Sequence, residues 1–174
     1  MSWFKLSLGL LSLIVIACNS NTSHYHIVPH KPEQEGVLPG QYIPYFELPD
    51  STGRIIPVEA GMGKATVIDF WASWCRPCRE AANPAYLKLY KKFHSQGLNI
   101  IGVSTDRHMF FWKKALIQDS LPWLQLIDSS RQILKKYKVN RLPTMYLIDK
   151  DGEVVGKNLW DDDLKQKIYK LLYP

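Results

Sequence analysis

Residues 65–78 read ATVIDFWASWCRPC, an apolar run that ends in two cysteines separated by two residues. Apart from one aspartate, residues 65–71 are β-branched or apolar, which is typical of a central strand buried on both faces. Residues 76–96 then carry apolar side chains at helical spacing, and Gly97 ends the segment. The sequence therefore predicts a buried strand followed directly by a long helix, with the CxxC pair at the junction.

The rest of the chain follows the same two periodicities and predicts an α/β domain. Before the central stretch, segments 42–48 and 54–58 are expected to pair as a β-hairpin around a turn at 50–53. Further strands are predicted at residues 98–103, 124–127, 144–148 and 153–156, and further helices at 107–119, 131–137 and 161–172. The strand–helix–strand order around residues 65–103 implies a right-handed parallel crossover.

The position of the two cysteines predicts redox chemistry. A helix N-terminus stabilises a thiolate through unpaired N–H groups and the helix dipole. Arg76 adds a cation, and Pro77 suits the first helical turn, where no N–H is needed. Since the thiolate is the nucleophile, we expect Cys75, at an exposed lip, to attack a substrate and Cys78, buried one turn in, to resolve the mixed disulfide.

Other uses of a CxxC pair are weaker alternatives. A zinc site needs more ligands than one pair, and the sequence has no second pair. A copper site would need a distant donor such as His94 or His108, both in charged, helical surroundings. An inert structural disulfide gains little from closing so short a loop. We therefore expect no metal and no cofactor.

Four segments together resemble the TlpA/ResA-like branch of the thioredoxin superfamily. They are VIDFWASWCRPC, IIGVSTD, RLPTMYLID and KDGEVV, and the resemblance runs from Gln41 to the C-terminus. It implies a thioredoxin-like fold, with a central mixed β-sheet flanked by helices and an N-terminal β-hairpin. It also implies that residues 105–129 form the central αβ insertion of this branch.

The resemblance assigns roles to individual residues beside the cysteines. Asp69 matches a buried acid whose raised pKa lets it exchange a proton during resolution; the alternative is an acid satisfied by backbone or water. Pro143 matches a cis-proline that faces the dithiol and leaves the backbone of Leu142 free to pair with substrate; the alternative is an ordinary proline at the start of a strand. Trp74 and Trp71 are expected to shield the site and to supply an apolar contact surface.

The helix departs from the family pattern just after the second cysteine. The family usually has an acid three residues and a proline five residues after that cysteine, whereas here Glu80 is two and Pro84 six residues after it. A one-residue insertion in the helix is the simplest explanation. No role is therefore assigned to Glu80.

The N-terminus predicts a lipoprotein signal. Lys5 precedes an uncharged run that is too short for a confident membrane span and stops at Cys18. The ending VIAC resembles the lipobox of bacterial lipoproteins, in which the cysteine is lipidated and becomes the first mature residue; a plain signal peptide is the alternative. Asn19 is not the Asp that retains some lipoproteins in the inner membrane, which favours an outer-membrane anchor in a cell with two membranes.

The predicted domains are a signal peptide at residues 1–17, a lipidated tether at 18–40 and a thioredoxin-like domain at 41–174. The tether is polar and rich in proline, without apolar periodicity. Its histidines, His24, His26 and His30, could bind a metal, but no thiol or carboxylate supports them at ligand spacing. Solvated linker residues are the preferred interpretation.

The function predicted from these features is thiol-disulfide exchange outside the cytoplasm, in the reducing direction. The expected partners are oxidised protein substrates such as apocytochromes c, a membrane thiol donor and the membrane itself, with the protein a monomer. The net charge is +6, but the basic residues form no patch interleaved with exposed aromatics in the sequence. Nucleic-acid binding is therefore disfavoured. A copper-binding or redox-inactive module is the main alternative. A peroxidase is weaker, since no cysteine stands alone in a peroxide-activating loop.

Overall fold

The strand β3 (Ala65–Trp71), buried at every position, is the centre of a five-stranded mixed sheet. It runs parallel to β4 (Leu98–Ser104) and antiparallel to β6 (Thr144–Asp149). The edges are β5 (Leu124–Ile127), parallel to β4, and β7 (Val154–Lys157), antiparallel to β6. The strand order β5-β4-β3-β6-β7 confirms the predicted thioredoxin-like sheet.

This computed structural model describes residues 34–174. The predicted signal peptide, the lipidation site at Cys18 and most of the tether therefore lie outside the described residues. Within residues 34–174, no helix is both long and apolar enough to cross a bilayer.

Helices cover both faces of the sheet. One cluster, which contains Val67 of β3, is covered by α1 (Asn83–Phe93) and α4 (Asp161–Leu172). The opposite cluster, which contains Phe70, is packed against by α3 (Gln132–Lys136). The bounds of α4 match the prediction, because its three N-terminal aspartates and its apolar stripe mark both its start and its buried face.

The predicted insertion contains a helix and an edge strand. Helix α2 (Met109–Asp119) follows β4, and β5 then joins the sheet. Trp112 and Ala115 of α2 pack in a third cluster that also contains both cysteines of the CxxC pair. The insertion therefore forms one wall of the region around the CxxC. Short 3-10 helices lie at Val58–Gly61 and His94–Gln96.

The N-terminal hairpin exists but is shorter than predicted. Its strands are β1 (Glu47–Pro49) and β2 (Ile55–Pro57), and the Asp50 carboxylate organises the turn by accepting hydrogen bonds from Thr52 and Arg54. The predicted start of the first strand at residue 42 is wrong. Pro44 has no N–H to donate, and residues 40–43 instead exchange hydrogen bonds with residues 152–154.

Candidate active site

The CxxC pair lies at the carboxyl end of β3, where the chain turns into its longest helical segment. A disulfide joins Cys75 to Cys78, with an S–S distance of 2.05 Å. Helical backbone begins at residue 76, and Pro77 has helical angles (φ −60°, ψ −33°) in its first turn. The predicted junction of strand, CxxC and helix is confirmed.

The cysteines differ in exposure less than the sequence suggested. Cys78 is fully buried, and Cys75 is only 4% exposed. The expectation that Cys75 is exposed is therefore wrong, although it is the more accessible of the two. Both side chains pack in the cluster with Trp112 of α2, a contact that residue spacing does not reveal. The backbone N–H of Cys78 donates to Cys75 Sγ at 3.3 Å. This donor would stabilise negative charge on Cys75 after the disulfide is reduced.

The helix contains an extra residue directly after the CxxC. Cys78–Ala82 form a π-helical turn, in which the N–H of Asn83 donates to the carbonyl of Cys78, five residues earlier. This turn accommodates the one-residue insertion predicted from the positions of Glu80 and Pro84. Glu80 is exposed and accepts from Arg76 Nε at 2.7 Å, so it points away from the cluster that holds the cysteines.

Asp69 is a buried carboxyl in the strand that leads to the CxxC. It is 1% exposed, and burial raises its pKa to about 7. Its Oδ1 has no hydrogen-bond partner within residues 34–174. The charge of Asp69 contributes, after burial, to a raised pKa of Tyr86 on α1, so the two side chains lie close enough to interact. The predicted buried acid is therefore present and remains protonated to near neutral pH.

Asp106 holds the loop that precedes Cys75, a role that the sequence reasoning missed. Its carboxylate accepts from the N–H and the hydroxyl of Ser73, at 2.8 and 2.7 Å, and from the hydroxyl of Ser104 at 2.7 Å. Asp106 is 3% exposed, so these bonds are shielded from water. The one available signal was the motif IIGVSTD, which ends at this residue.

Arg79 ties the CxxC helix to the insertion. Its guanidinium donates to both carboxylate oxygens of Asp119 at the end of α2, with Nε–Oδ2 at 2.8 Å, and to the carbonyl of Ser73. The hydrogen bond to Asp119 is also the main reason that the pKa of Arg79 is raised. Arg79 and Asp106 thus hold the same loop residue from two sides. No local pattern indicates a pair forty residues apart in sequence.

The loop before β6 contains the predicted cis peptide bond, between Leu142 and Pro143. The side chain of Leu142 packs against the cluster that contains the two cysteines. Within residues 34–174, the backbone N–H and carbonyl of Leu142 take part in no hydrogen bond, whereas the neighbouring carbonyl of Arg141 accepts from Thr144 Oγ1. Leu142 therefore lies beside the CxxC, and the bond that precedes Pro143 is cis, as the resemblance implied.

The two tryptophans of the motif have different environments. Trp74 is 64% exposed, whereas Trp71 is buried and donates from Nε1 to Gln125. Only Trp74 can therefore offer contact surface, so that part of the expectation is wrong for Trp71, which packs in the cluster that contains both cysteines. Trp74 separates two open grooves, one toward the insertion and one toward the cis-proline loop.

The histidines named as possible copper donors lie apart from each other. His94 stacks on Tyr90, and its Nδ1 lies 3.0 Å from the carbonyl of Leu98. His108 lines the groove beside Trp74. Among residues 34–174, no group of three His, Cys, Asp or Glu side chains is placed to hold a metal ion.

The fold and this site define a thioredoxin-like thiol-disulfide oxidoreductase. The chain belongs to the AhpC/TSA family, whose model matches residues 39–157.

Relatives and solved structures agree with this class. The chain is 34% identical over 134 residues to the thiol-disulfide oxidoreductase ResA of Bacillus cereus, covering 77% of each chain. It is 31% identical to ResA of Bacillus subtilis, covering 82% of this chain and 78% of the relative. A thiol:disulfide interchange protein DsbE from Chlorobium tepidum has a TM-score of 0.72 at 29% identity, covering 79% of this chain and 99% of that one.

Proposed function

We propose that this protein is an extracytoplasmic reductant of protein disulfides that works through Cys75 and Cys78. The observation that carries the proposal is the disulfide at the start of a helix, reached from a strand that contains the buried acid Asp69. The reduced Cys75 thiolate attacks a substrate disulfide and releases one substrate thiolate. Cys78 then attacks Cys75 Sγ and releases the second, so two electrons pass to the substrate and the disulfide of the structure is re-formed.

Cys75 is assigned the first step on two grounds. It is the more exposed cysteine, although at 4% only slightly, and it accepts the N–H of Cys78. A helix N-terminus and the neighbouring Arg76 favour its thiolate over that of the fully buried Cys78.

Asp69 is assigned the proton transfer of the second step. Cys78 must lose its proton in order to attack, and an acid whose pKa is about 7 can take and return a proton near neutral pH. Trp74, Leu142 and Pro143 contact and position the substrate, and Pro77 starts the helix that holds the cysteines. With Asp69→Asn, we expect resolution of the mixed disulfide to slow about 100-fold, and its pH dependence around 7 to disappear.

The cellular setting is part of the proposal and depends on residues that precede the described region. Residues 1–17 direct export, Cys18 carries a lipid, and the domain works as a tethered monomer in the cell envelope, at the outer membrane where there is one. A membrane thiol donor returns the disulfide to the dithiol. The substrates are oxidised envelope proteins, for which apocytochromes c are the candidates that the family resemblance suggests.

Reduction of insulin by dithiothreitol, with the full chain as catalyst, tests the proposed activity. The wild type should accelerate precipitation of the insulin chains, and Cys75→Ser and Cys78→Ser should each abolish the acceleration. Cys18→Ser is the matched control, because it removes a thiol without touching the CxxC pair and should retain the acceleration. Equal rates with and without the wild-type chain would contradict the proposal.

The reduction potential of the couple tests the proposed direction. A reductant should have a potential near that of thioredoxin, about −270 mV, whereas an oxidant resembles DsbA at about −120 mV. Equilibration with glutathione buffers, followed by quantification of the free thiols, gives the value. A result near the oxidant end would leave the exchange chemistry in place and overturn the direction.

A further inference from the structure

Two grooves meet at the exposed Trp74, directly beside Cys75. The insertion groove is lined by Trp74, Arg107, His108, Phe111 and Arg131. The proline-loop groove is lined by Trp74, Arg131, Leu134, Val139, Arg141 and Leu142. Because Trp74 and Arg131 line both, the two grooves adjoin on either side of these residues, and we refer to the pair as the channel.

The arginines of this channel are not neutralised by the protein. Within residues 34–174, Arg107, Arg131 and Arg141 form no ion pair. Arg131 donates from Nε to the carbonyl of Thr105, which holds the side chain in place without cancelling its charge. By contrast, Arg79 on the CxxC helix is paired with Asp119. The three arginines that line the channel are thus unpaired within residues 34–174, whereas Arg79 on the CxxC helix is ion-paired.

One carboxylate, that of Asp106, lines the channel, and it accepts hydrogen bonds from neighbouring serines. Asp106 is 3% exposed, and both of its oxygens accept hydrogen bonds from Ser73 or Ser104. Among the described residues, no other acidic side chain lines either groove. Three arginines and one carboxylate line the channel, so its net charge is positive.

The positive field extends beyond the proline-loop groove. Burial lowers the pKa of Lys157, and the charges of Arg141 and Lys138 lower it further. A cation whose pKa is lowered by cationic neighbours lies in a region of uncompensated positive charge. An acidic ligand at this end of the channel would relieve that repulsion.

Apolar contacts and a free backbone accompany the charge, so the expectation that the basic residues form no patch interleaved with aromatics is wrong at this end of the domain. Trp74 is 64% exposed and Phe111 55% exposed, and Phe110, at 71%, contacts Phe111 edge-on. Leu142, which uses neither its N–H nor its carbonyl for hydrogen bonding within residues 34–174, lies in the proline-loop groove. An extended peptide could pair with this backbone while its side chains reach the aromatics and arginines.

We propose that the channel is a substrate cradle for an extended polypeptide segment with acidic residues on both sides of its disulfide cysteine. This inference rests on the proposed function and adds the substrate class to it. Trp74 supports the segment next to Cys75, while Arg107 on one side and Arg141 on the other receive its carboxylates. Exposed ion pairs are individually weak, so the selectivity comes from several of them acting together.

Three model peptides that differ only in the charge beside their cysteine test whether that charge affects the rate of reaction. Each is a peptide of the same length with one cysteine, flanked on both sides by glutamates, glutamines or lysines and joined by a disulfide to 2-thiopyridine. The full-length Cys18→Ser chain, whose only thiols are Cys75 and Cys78, is reduced with dithiothreitol and desalted before mixing. The Cys75 thiolate attacks the peptide sulfur and releases pyridine-2-thione, whose absorbance gives the rate; Cys78 then attacks Cys75 Sγ and releases the peptide thiol.

We expect the glutamate peptide to react about fivefold faster than the glutamine peptide, and the lysine peptide more slowly by a similar factor. Salt at about 1 M should remove most of the difference, since it screens exposed charges beyond about 3 Å. If all three peptides react equally, the cradle is wrong while the proposed function stands. If the Cys18→Ser chain reacts with none of them, both fail.

A double charge reversal locates the selectivity. Neither the Arg107 nor the Arg141 side chain makes a hydrogen bond or ion pair within residues 34–174, so Arg107→Glu/Arg141→Glu should fold normally. This variant should lose the preference for the glutamate peptide. The matched control Lys88→Glu/Lys165→Glu changes the net charge equally at residues that line neither groove, and it should keep the preference. Equal preference in both variants would overturn the cradle.

Discussion

The two faces of β3 differ in whether their buried polar groups have hydrogen-bond partners. On the packed face, the side of Ile68 and Phe70, Tyr137 donates from its hydroxyl to the carbonyl of Pro44 at 2.8 Å and Tyr146 donates to the carbonyl of Tyr137. On the redox face, the side of Val67, Asp69 and Trp71, several polar atoms have no hydrogen-bond partner within residues 34–174. They include Asp69 Oδ1, the side-chain amide of Asn83 and the hydroxyl of Tyr86.

One face of β3 therefore contributes mainly to stability, and the other carries the carboxyl with a proposed chemical role. Side chains alternate across a strand, so neighbouring residues of β3 face different clusters. The packed face is apolar and its buried hydroxyls are paired, which is the arrangement that stabilises a core. The redox face retains a carboxyl that is neutral only because it is buried. We infer that this unfavourable burial is kept because a proton acceptor with a pKa of about 7 serves the CxxC pair.

Loss of packing on the packed face should have the largest effect on stability. Phe70 is fully buried, and its ring lies 5.3 Å from that of Tyr137 and 6.2 Å from that of Tyr146. Phe70→Ala should therefore lower the free energy of unfolding by about 3–5 kcal/mol. Because no titrating group is removed, urea unfolding should give the same loss at pH 5 and pH 8. A loss that changed with pH would contradict the assignment of titration to the other face.

Removal of the buried carboxyl should instead stabilise the protein, and only at higher pH. The folded pKa of Asp69 is about 7 and its ordinary value is 3.8. Between these values the folded chain keeps a proton that the unfolded chain releases, so wild-type stability falls as the pH rises through this window and is level above it. Asp69→Asn should raise the free energy of unfolding by up to about 4 kcal/mol at pH 8.

The pH dependence distinguishes this effect from simple repacking. Near pH 4 both the aspartic acid and the asparagine are neutral, so the two proteins should unfold at similar urea concentrations. A stabilisation of equal size at pH 4 and pH 8 would mean that Asp69 is not the titrating group.

Two tyrosine hydroxyls offer a smaller, matched test. Tyr137→Phe removes a hydroxyl that donates to Pro44, and it should cost about 1–2 kcal/mol of unfolding free energy. Tyr86→Phe removes a buried hydroxyl without a partner within residues 34–174, and its effect should be near zero or slightly stabilising. Thermal unfolding of the two variants, measured side by side, gives the comparison. Equal losses of unfolding free energy in the two variants would contradict the difference in hydrogen bonding between the two faces.

The sequence predicted the parts of the molecule that depend on local pattern. The bounds of β3, β5 and α4 match the prediction, because these segments carry a mainly apolar strand pattern or a clear helical stripe. The resemblance to the TlpA/ResA-like branch placed Asp69 and the cis bond before Pro143, and both are where it implied. Their catalytic roles remain predictions.

Features that depend on distant contacts could not be predicted. The ion pair of Arg79 with Asp119 joins residues that are separated by forty positions, and Arg107, Arg131 and Arg141 share a channel only after folding. The near-complete burial of Cys75 likewise depends on a cluster that includes Trp112 of the insertion. Residue spacing indicates which face of an element is apolar, but not which element covers it.

We propose that Cys75 attacks the substrate and Cys78 resolves the resulting disulfide, and trapping the mixed disulfide tests this most directly. Cys78→Ala should therefore accumulate a mixed disulfide with a cysteine-containing peptide disulfide, and mass spectrometry of a proteolytic digest should place the adduct on Cys75. Cys75→Ala should accumulate little adduct, because Cys78 is fully buried. An adduct on Cys78 at a comparable rate, or no adduct in either variant, would contradict the claim.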